Sequence, residues 1–561
     1  MKNYLTLVAM GMAVCAISAS GQTLPLAPEL AGLTPKTATG WINGTNGINN
    51  FNSEALSLDM ANNGNVIIGW EDDAEGTINH FLGVWTMLDG NGNMITPMTV
   101  QTNRDTTGDL GTLESTTNQY LSFFRSDNTA TPGFPGGWGP KVRANRFGNG
   151  MGMGAMPWAI GLEIPELFEI NADAGGPPPA SDDFPCVQLL NNDGTPLRLG
   201  PISGITNLGI VTLADADVEP AGAIRLGGWD YLSSGNIVIV GESRQAADRA
   251  LTGQASGNTP VYRIVTPGGI QVKGYSAVSA TAESGSISRN GAAAVAGGFA
   301  IRWQGAGGAT VRLFDNAGNP TTGNLDLATL TGHPEASGGG NGGGAGIDSN
   351  GKDAYVVVGD FGGNTVWVTV LNADGSVRWS RNAADDKVLT GFNGTSAAID
   401  ELGQVVVTFS ARLDPTMSQA IMGRRFDAEG NAVGGTFYVG ETEIPSFDSP
   451  VFFDSDSPKV AWRDGNVAVA WFSKNYVDPS LHGIRTIAYR LFLTGTPSGP
   501  SLSISSSGAN VTISWPADVT GFTLESSPVL GAGAVWTPVP GVVNNSVVVT
   551  ATGTRFYRLK Q

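Results

Sequence analysis

Residues 396–409 read SAAIDELGQVVVTF, and this stretch indicates the fold most clearly. An Asp and a Gly three positions apart precede a run of β-branched and aromatic residues. The Asp side chain can bond its own backbone in a turn and the Gly accepts a positive φ, so the stretch predicts a tight turn that leads into a strand. Copies of the pattern stand at 55–70 (ALSLDMANNGNVIIGW), 229–242, 344–359 and 459–472.

A second pattern alternates with the first along the chain. Residues 310–321 (TVRLFDNAGNPT) and 421–433 (IMGRRFDAEGNAV) each place a Gly-containing turn between two short strands, which is typical of a β-hairpin. Further copies lie at 84–95, 186–197, 261–272 and 366–379. One copy of each pattern makes an antiparallel sheet of about four strands, and such a sheet needs neighbours to bury its faces.

Seven copies of the first pattern can be counted, two of them weak (116–126 and 291–303). Their anchors are Gly64, Asn118, Gly235, Gly297, Gly351, Gly403 and Gly465. Most anchors lie about 50 to 60 residues apart, which suits a four-stranded blade. The predicted fold class is therefore all-β, a β-propeller of seven blades, with six or eight blades or an array of two-sheet sandwiches as alternatives. Residues 41–51 are expected to supply a strand that closes the ring with the last unit.

The ends of the chain differ from the repeats. Lys2, the apolar residues 4–17 and Ala19-Ser20-Gly21 predict a signal peptide at 1–21. The repeats are expected at 22–493, with an insert at about 127–183 because the anchors there are twice as far apart. Residues 494–501 form a predicted linker, and 502–561 a predicted C-terminal β-sandwich in which apolar and polar residues alternate.

Composition limits the partners that the chain can have. The chain has 31 Lys and Arg against 49 Asp and Glu, a net charge of -18. This balance argues against nucleic acid and against an anionic membrane surface. After residue 21 no stretch is apolar enough to predict a transmembrane segment. Cys186 is then the only cysteine, so no internal disulfide is expected.

The C-terminal segment carries a resemblance. It contains VTISWP (511–516), GFTLESS (521–527), Trp536 and RFYRL (555–559). This spelling resembles a β-sandwich module that recurs at the end of otherwise unrelated secreted proteins of Gram-negative bacteria. The resemblance implies export, with surface sorting or attachment, and hence a secreted, extracellular or outer-cell-surface location. The repeats resemble the strand units of secreted bacterial β-propeller proteins.

Four acids follow strands that end at equivalent points of the repeats: Glu71, Asp72, Glu242 and Asp360. On one rim of a propeller they would form a cluster able to hold Ca²⁺ or to act as an acid–base pair on a sugar. The alternative is that they are solvated acids that protect sheet edges. Two carboxyls about 5 to 10 Å apart across a pocket would favour an enzyme. Apart from that Ca²⁺ hypothesis we expect no cofactor, because the three histidines are scattered and the turns at 89–93 and 315–319 lack the remaining ligands of a calcium loop.

The predicted insert contains candidate ligand-binding residues. Trp138 and Trp158 could stack on sugar rings or anchor a protein partner, and Arg143 and Arg146 could bind carboxylates. The alternative is that these four side chains cover a blade. Because the sequence contains no convincing catalytic constellation and no nucleophile elbow, the favoured function is a binding or scaffold protein for polysaccharide or protein. A glycoside hydrolase or lyase that uses the rim acids is the alternative, and a purely structural surface protein is a third hypothesis. The oligomeric state stays open.

Overall fold

The structure is a computed structural model. It describes residues 27–42, 56–73, 80–100, 125–127, 136–160, 181–183, 186–195, 197, 199–202, 205–207, 210–212, 224–243, 249–250, 253, 257–281, 285, 287, 291–305, 307–337, 346–361, 365–392, 394–413, 419–440, 454–474, 485–494, 503–507, 510–515, 523–528, 535–550 and 555–560. The predicted signal peptide lies outside these residues. The contacts divide the chain into two units, 1–494 and 495–561, which are described separately.

The first unit consists almost entirely of antiparallel sheets. A 3-10 helix (Pro28–Ala31) precedes the strands. The strands up to blade 2 are β1 (Leu33–Pro35), β2 (Gly40–Ile42), β3 (Ser57–Met60), β4 (Val66–Asp73), β5 (His80–Leu88), β6 (Met94–Val100), β7 (Arg125–Asp127), β8 (Gly136–Ala144), β9 (Met151–Ile160), β10 (Ser181–Asp183), β11 (Cys186–Leu190), β12 (Leu199–Ile202), β13 (Ile205–Asn207) and β14 (Ile210–Thr212). Sheet β3-β4-β5-β6, with β7 beside β5, is blade 1, and sheet β8-β9-β11-β14, with β10 beside β9, is blade 2.

Blades 3 to 7 follow in chain order. Their strands are β15 (Ile224–Tyr231), β16 (Ile237–Ser243), β17 (Thr259–Val265) and β18 (Gln271–Ala277); β19 (Ala292–Val295), β20 (Gly298–Gly305), β21 (Gly308–Asp315) and β22 (Leu325–Asp326); β23 (Gly346–Ser349), β24 (Ala354–Phe361), β25 (Thr365–Asn372) and β26 (Val377–Asn382); β27 (Thr395–Ile399), β28 (Val405–Ala411), β29 (Ala420–Phe426) and β30 (Phe437–Tyr438); and β31 (Asp454–Arg463), β32 (Asn466–Lys474) and β33 (Arg485–Thr494). A short helix α1 (Leu327–Thr331) and a 3-10 helix (Pro334–Ser337) join blades 4 and 5.

The seven sheets form a closed ring. Each innermost strand contacts the innermost strand of the next blade, and β31 of blade 7 contacts β3 of blade 1. The N-terminal strands complete blade 7, because β1 and β2 both pair with β33, with Trp41 opposite Ala488. The predicted closure at 41–51 is thus confirmed for residues 41 and 42, and residues 43–51 lie outside the described part of the chain. The described strands confirm the seven-bladed propeller.

Apolar packing between blades stabilises the ring. The described core residues form one apolar cluster at each of the seven interfaces between neighbouring blades. At the closing interface, Trp70 of blade 1 and Phe472 of blade 7 are both fully buried in one cluster. Each sheet therefore buries both of its faces against its neighbours, as the repeat pattern requires.

The Gly-containing turns have the geometry that their sequence predicts. In blade 4, Asp315 accepts hydrogen bonds from the backbone N–H groups of Ala317 (2.9 Å) and Asn319 (2.8 Å), and the Asn319 side-chain amide donates to its other oxygen at 2.9 Å. Gly318 adopts φ +78°. The same bonds recur at Asp89 in blade 1 and Asp427 in blade 6. Backbone and amide groups thus occupy both oxygens of these Asp side chains, as in a hairpin turn.

Blade 2 lies where the sequence predicted an insert. Its strands β8, β9 and β10 fall within 127–183, so these parts of the range are blade rather than insert. The weak copy at 116–126 ends in β7, which pairs with β5 of blade 1, and residues 116–124 lie outside the described part. The pattern misses β9 because Gly152 and Gly154 replace β-branched residues. A Cβ at either position would lie within 3.0 Å of Trp229 of blade 3, so only glycine fits there.

The second unit contains two three-stranded sheets. One consists of β34 (Ser503–Ser507), β35 (Asn510–Ser514) and β38 (Ser546–Thr550), and the other of β36 (Thr523–Ser527), β37 (Thr537–Pro538) and β39 (Phe556–Lys560). Ile513 and Trp515, Leu524 and Val547 from both sheets form one buried cluster. The alternating residues that predicted strands at 502–561 therefore supply a small core.

Candidate functional site

A pocket opens at the ends of the innermost strands, where β3, β8, β23, β27 and β31 begin or pass close to the propeller axis. We call it the axial pocket, and its volume is about 70 Å³. The polar residues of its wall are Ser57, Asp59, Lys141, Arg143, Asp348, Thr395, Ser396 and Lys459. They come from five blades, so the pocket exists only because the ring is closed.

Asp59 of blade 1 is bonded on both oxygens. One oxygen accepts from the backbone N–H of Met60 at 2.8 Å and faces the Arg463 guanidinium of blade 7 at 3.3 Å. The other accepts from the backbone N–H of Ala144 at 3.0 Å. Asp59 is 3% exposed, so its charge is balanced by donors of the protein and not by water.

Asp348 of blade 5 has a similar environment on the other side of the axis. One nitrogen of the Arg146 guanidinium, Nη2, lies within hydrogen-bond distance of both oxygens of Asp348, at 2.6 and 2.7 Å. Arg143 lies 3.5 Å from one oxygen, and the backbone N–H of Ile399 donates to the other at 3.3 Å. Hydrogen bonds between a guanidinium and a carboxylate are charge-assisted and stronger than those between neutral groups.

Arg143 connects four blades through the axis. From β8 its guanidinium donates to the backbone carbonyls of Ala292 in blade 4 (2.6 Å) and Ile347 in blade 5 (3.1 Å), and it reaches that of Trp229 in blade 3 at 3.4 Å. Burial lowers the pKa of Arg143, but the carboxylates of Asp230, Asp59 and Asp348 outweigh it and the pKa is raised. The guanidinium therefore stays charged.

Asp230 of blade 3 interacts with the charge of Arg143 but is not part of the pocket wall. It accepts from the backbone N–H of Tyr231 at 2.8 Å and from that of Ala294 in blade 4 at 3.0 Å. Burial raises the pKa of Asp230 to about 7, although Arg143 opposes the shift. Near neutral pH, Asp230 thus carries only part of a negative charge.

Of the four rim acids predicted as catalytic residues, the structure describes the side chain of Glu242 alone. Glu242 is 3% exposed and bonds within the scaffold, accepting from the backbone N–H of Ile287 (3.0 Å) and from Asn258 (3.2 Å). On β4, Glu71 and Asp72 follow Gly69, which pairs with Ser57 at the start of β3. On β24, Asp360 follows Val358, which pairs with Gly346 at the start of β23. These three positions lie at the pocket end of their blades, and their side chains are outside the described part of the structure.

The four predicted ligand-binding residues all belong to blade 2 or to the turn that follows its first strand. Arg143 and Arg146 bind a carboxylate, as their residue type predicted, but it is that of Asp348 in the same chain. Trp138 lies on β8 opposite Met156, and Trp158 lies on β9 opposite Asp183 and Gly136. The tryptophan side chains are outside the described part, so their predicted contact with a ligand stays a prediction.

The described residues contain no group of three or more His, Cys, Asp or Glu that could hold a metal ion. Of the histidines, His333 lies beside α1 with its ring 4.6 Å from that of Trp367. No helix among the described residues has the length and apolar character needed to cross a membrane.

Sequence reasoning missed Lys141, Lys459, Asp59 and Asp348 as pocket residues. The only available signal was their place in the repeat, since each stands on an innermost strand of the predicted propeller. The contacts that join them link residues of different blades, from Ala144 and Asp59, 85 positions apart, to Arg146 and Asp348, 202 positions apart. A pattern read within one repeat cannot show such pairs.

These observations define the class of the protein as a closed seven-bladed β-propeller whose axial pocket is lined by lysine and arginine side chains. No protein-family model and no curated protein matches the chain by sequence. Among solved structures, the β-propeller domain of the Trilobed protease from Pyrococcus furiosus is similar over 79% of this chain and all of its own, at 8% identity and TM-score 0.36. The WD40 domain of Toxoplasma gondii coronin covers 82% of this chain and 88% of its own, at 9% identity and TM-score 0.36. Phage phi92 endosialidase is similar over 93% of this chain and 77% of its own, at 10% identity and TM-score 0.38. Similarity at this level carries no information about ligand or chemistry.

Proposed function

We propose that the chain is a secreted or cell-surface binding protein that holds an extracellular polysaccharide at the axial pocket. The observation that supports binding rather than catalysis is the state of the two carboxylates in the pocket wall. Asp59 accepts hydrogen bonds from the backbone N–H of Ala144 and from Arg463. Asp348 accepts hydrogen bonds from the backbone N–H of Ile399 and from Arg146. A general acid or base needs an oxygen that can reach the substrate. Both oxygens of each of these carboxylates are already bonded within the scaffold.

A glycan array probed with the purified protein tests this proposal, with a reducing-sugar assay on every glycan that binds. We expect binding of at least one polysaccharide without release of reducing ends. Binding of proteins alone would support a scaffold for a protein partner instead. Failure to retain any polysaccharide would contradict the proposal.

A glycoside hydrolase or lyase is the second candidate function. It is favoured by the placement of Glu71, Asp72 and Asp360, which lie at the same end of the blades as the axial pocket. If the protein is an enzyme, the assay will show cleavage of the polysaccharide. Glu71→Gln, Asp72→Asn or Asp360→Asn will then reduce the cleavage rate by about 100-fold or more. Glu242→Gln serves as the comparison, because Glu242 is bonded to the backbone of the scaffold.

A further inference from the structure

Two segments with the same sequence contribute the lysines of the axial pocket. Pro140-Lys141-Val142 begins the regular part of β8 in blade 2, and Pro458-Lys459-Val460 does so for β31 in blade 7. In both strands the register shifts just before the lysine, between Trp138 and Lys141 and between Asp456 and Lys459. Proline has no N–H to give to the sheet, so a bulge at this point is the expected local structure.

The two segments are also held in the same way by the preceding blade. The backbone N–H of Val142 donates to the hydroxyl of Ser57 in blade 1 at 2.9 Å, and that of Val460 donates to the hydroxyl of Ser396 in blade 6 at 3.2 Å. Each serine therefore acts as an acceptor through its lone pair and keeps its own O–H as a donor. Both serines and both lysines line the axial pocket.

Five of the eight polar residues in the described pocket wall are charged. Three cations (Lys141, Arg143 and Lys459) line it against two carboxylates (Asp59 and Asp348). The carboxylates are further balanced by Arg463 and Arg146, which lie outside the wall. The wall thus combines ammonium and guanidinium groups with hydroxyl donors, although the whole chain has a net charge of -18.

We propose that the two Pro-Lys-Val segments form an anion site in the axial pocket, which binds the carboxylate or sulfate group of an acidic polysaccharide. This inference rests on the proposed binding function and names its ligand class. Ammonium groups and hydroxyls are donors, and a carboxylate or sulfate accepts from several donors at once. The pocket admits only a few water-sized groups, which suits a single acidic substituent at its base with the sugar ring at its mouth.

Calorimetry with the full chain tests the inference. The probes are polygalacturonate (carboxylate), dextran sulfate (sulfate), dextran (neutral) and poly-L-glutamate (an acidic polypeptide). We expect one of the two acidic polysaccharides to bind, dextran to bind at least about tenfold more weakly, and affinity to fall as salt rises. Since the protein itself is strongly acidic, its overall charge repels polyanions, so binding of an acidic polysaccharide would not result from unspecific attraction.

Variants of the two lysines assign the binding to the pocket. Lys141→Gln and Lys459→Gln should each weaken binding about tenfold or more, while Lys141→Arg and Lys459→Arg should keep most of it. The matched control is Lys273→Gln on the outermost strand of blade 3, which should change affinity less than about twofold. Thermal unfolding of each variant shows whether its fold is intact, and the arginine variants test the charge where a glutamine variant unfolds.

Each result separates this inference from the proposed function. Equal binding of dextran and the acidic polysaccharides, or unchanged affinity in both lysine variants, would overturn the anion site and leave a polysaccharide-binding protein. Preference for poly-L-glutamate would overturn the saccharide and indicate an acidic protein partner. Absence of binding to any glycan of the array would contradict both.

Discussion

Blades 2 and 4 are both antiparallel sheets, but their innermost strands differ in the chemistry of their side chains. In blade 4, β19 is Ala-Ala-Ala-Val (292–295), all of it buried and apolar. In blade 2, β8 and the turn after it carry Lys141, Arg143 and Arg146. The two strands are complementary, because the small side chains of β19 leave its backbone accessible and Arg143 donates to the carbonyl of Ala292 at 2.6 Å. The hairpins thus define the fold, whereas the innermost strands define the chemistry of the axis.

Among the changes that test this difference between the blades, removal of Arg143 is expected to have the largest effect. Arg143→Met keeps much of the side-chain volume but leaves Asp59, Asp230 and Asp348 buried around a missing cation. We expect a loss of about 3 to 5 kcal/mol in the free energy of unfolding, measured by urea denaturation. Arg381→Met, an exposed arginine on β26, is the control and should cost less than about 0.5 kcal/mol. Equal stability of both variants would show that the axial network is not needed.

The carboxyl that joins blades 3 and 4 gives the propeller a pH dependence. The pKa of Asp230 is about 7 in the folded protein, above its ordinary value of 3.8, because burial disfavours its charge. A raised pKa means that the folded state holds the proton longer, so this contribution to stability is complete below pH 4 and is lost as pH rises through 7. Relative to Asp230→Asn, the wild type should lose on the order of 2 kcal/mol between pH 5 and pH 8. Parallel stability curves for the two proteins would contradict the assignment.

Turn glycines should differ between the same two blades. Gly297 of blade 4 has φ +88° and open space where a Cβ would stand, so Gly297→Ala should cost only the backbone strain of about 1 to 2 kcal/mol. Gly194 of blade 2 has φ +83°, and a Cβ there would lie 2.8 Å from Thr96 and 2.9 Å from Met87 of blade 1. Gly194→Ala should therefore cost about 1 to 3 kcal/mol more in urea denaturation. The reverse order would show that blades 1 and 2 do not pack as described.

The smallest effect is expected in the outer turns. Asn319→Ala in blade 4 removes the amide bond to Asp315, and Thr195→Ala in blade 2 removes a hydroxyl bond to Asp193 of 2.6 Å. Both groups are exposed, so each change should lower stability by about 0.5 to 1 kcal/mol. Adding Ca²⁺ should leave the melting temperature of wild type and both variants unchanged, since backbone and side-chain groups already bond these Asp oxygens. A calcium-dependent rise would revive the calcium-loop interpretation.

Much of the fold could be predicted because it depends on local turn chemistry. Six of the seven sequence anchors (Gly64, Gly235, Gly297, Gly351, Gly403 and Gly465) adopt positive φ in the first hairpin of a blade. Blade 2 was misplaced because Gly152 and Gly154 are selected by contact with Trp229 of blade 3, and not by the strand they stand in. A pattern based on β-branched residues cannot detect a strand whose composition is set by its neighbour.

The site was harder to predict than the fold. Arg143 and Arg146 could be identified as carboxylate-binding residues from their type, but their partner Asp348 belongs to blade 5. The repeated Pro-Lys-Val segments become meaningful only when the ring places blades 2 and 7 on the two sides of blade 1. Closure of the ring brings these residues together, and the sequence of a single repeat does not indicate which residues of other blades it will contact.

A crystal structure of the full chain with a galacturonate oligosaccharide tests the central claim most directly. The account predicts a carboxylate in the axial pocket, within hydrogen-bond distance of Lys141 and Lys459 and of the hydroxyls of Ser57 and Ser396. A saccharide that binds in full occupancy at the outer strands of the blades, with the axial pocket holding water only, would contradict it.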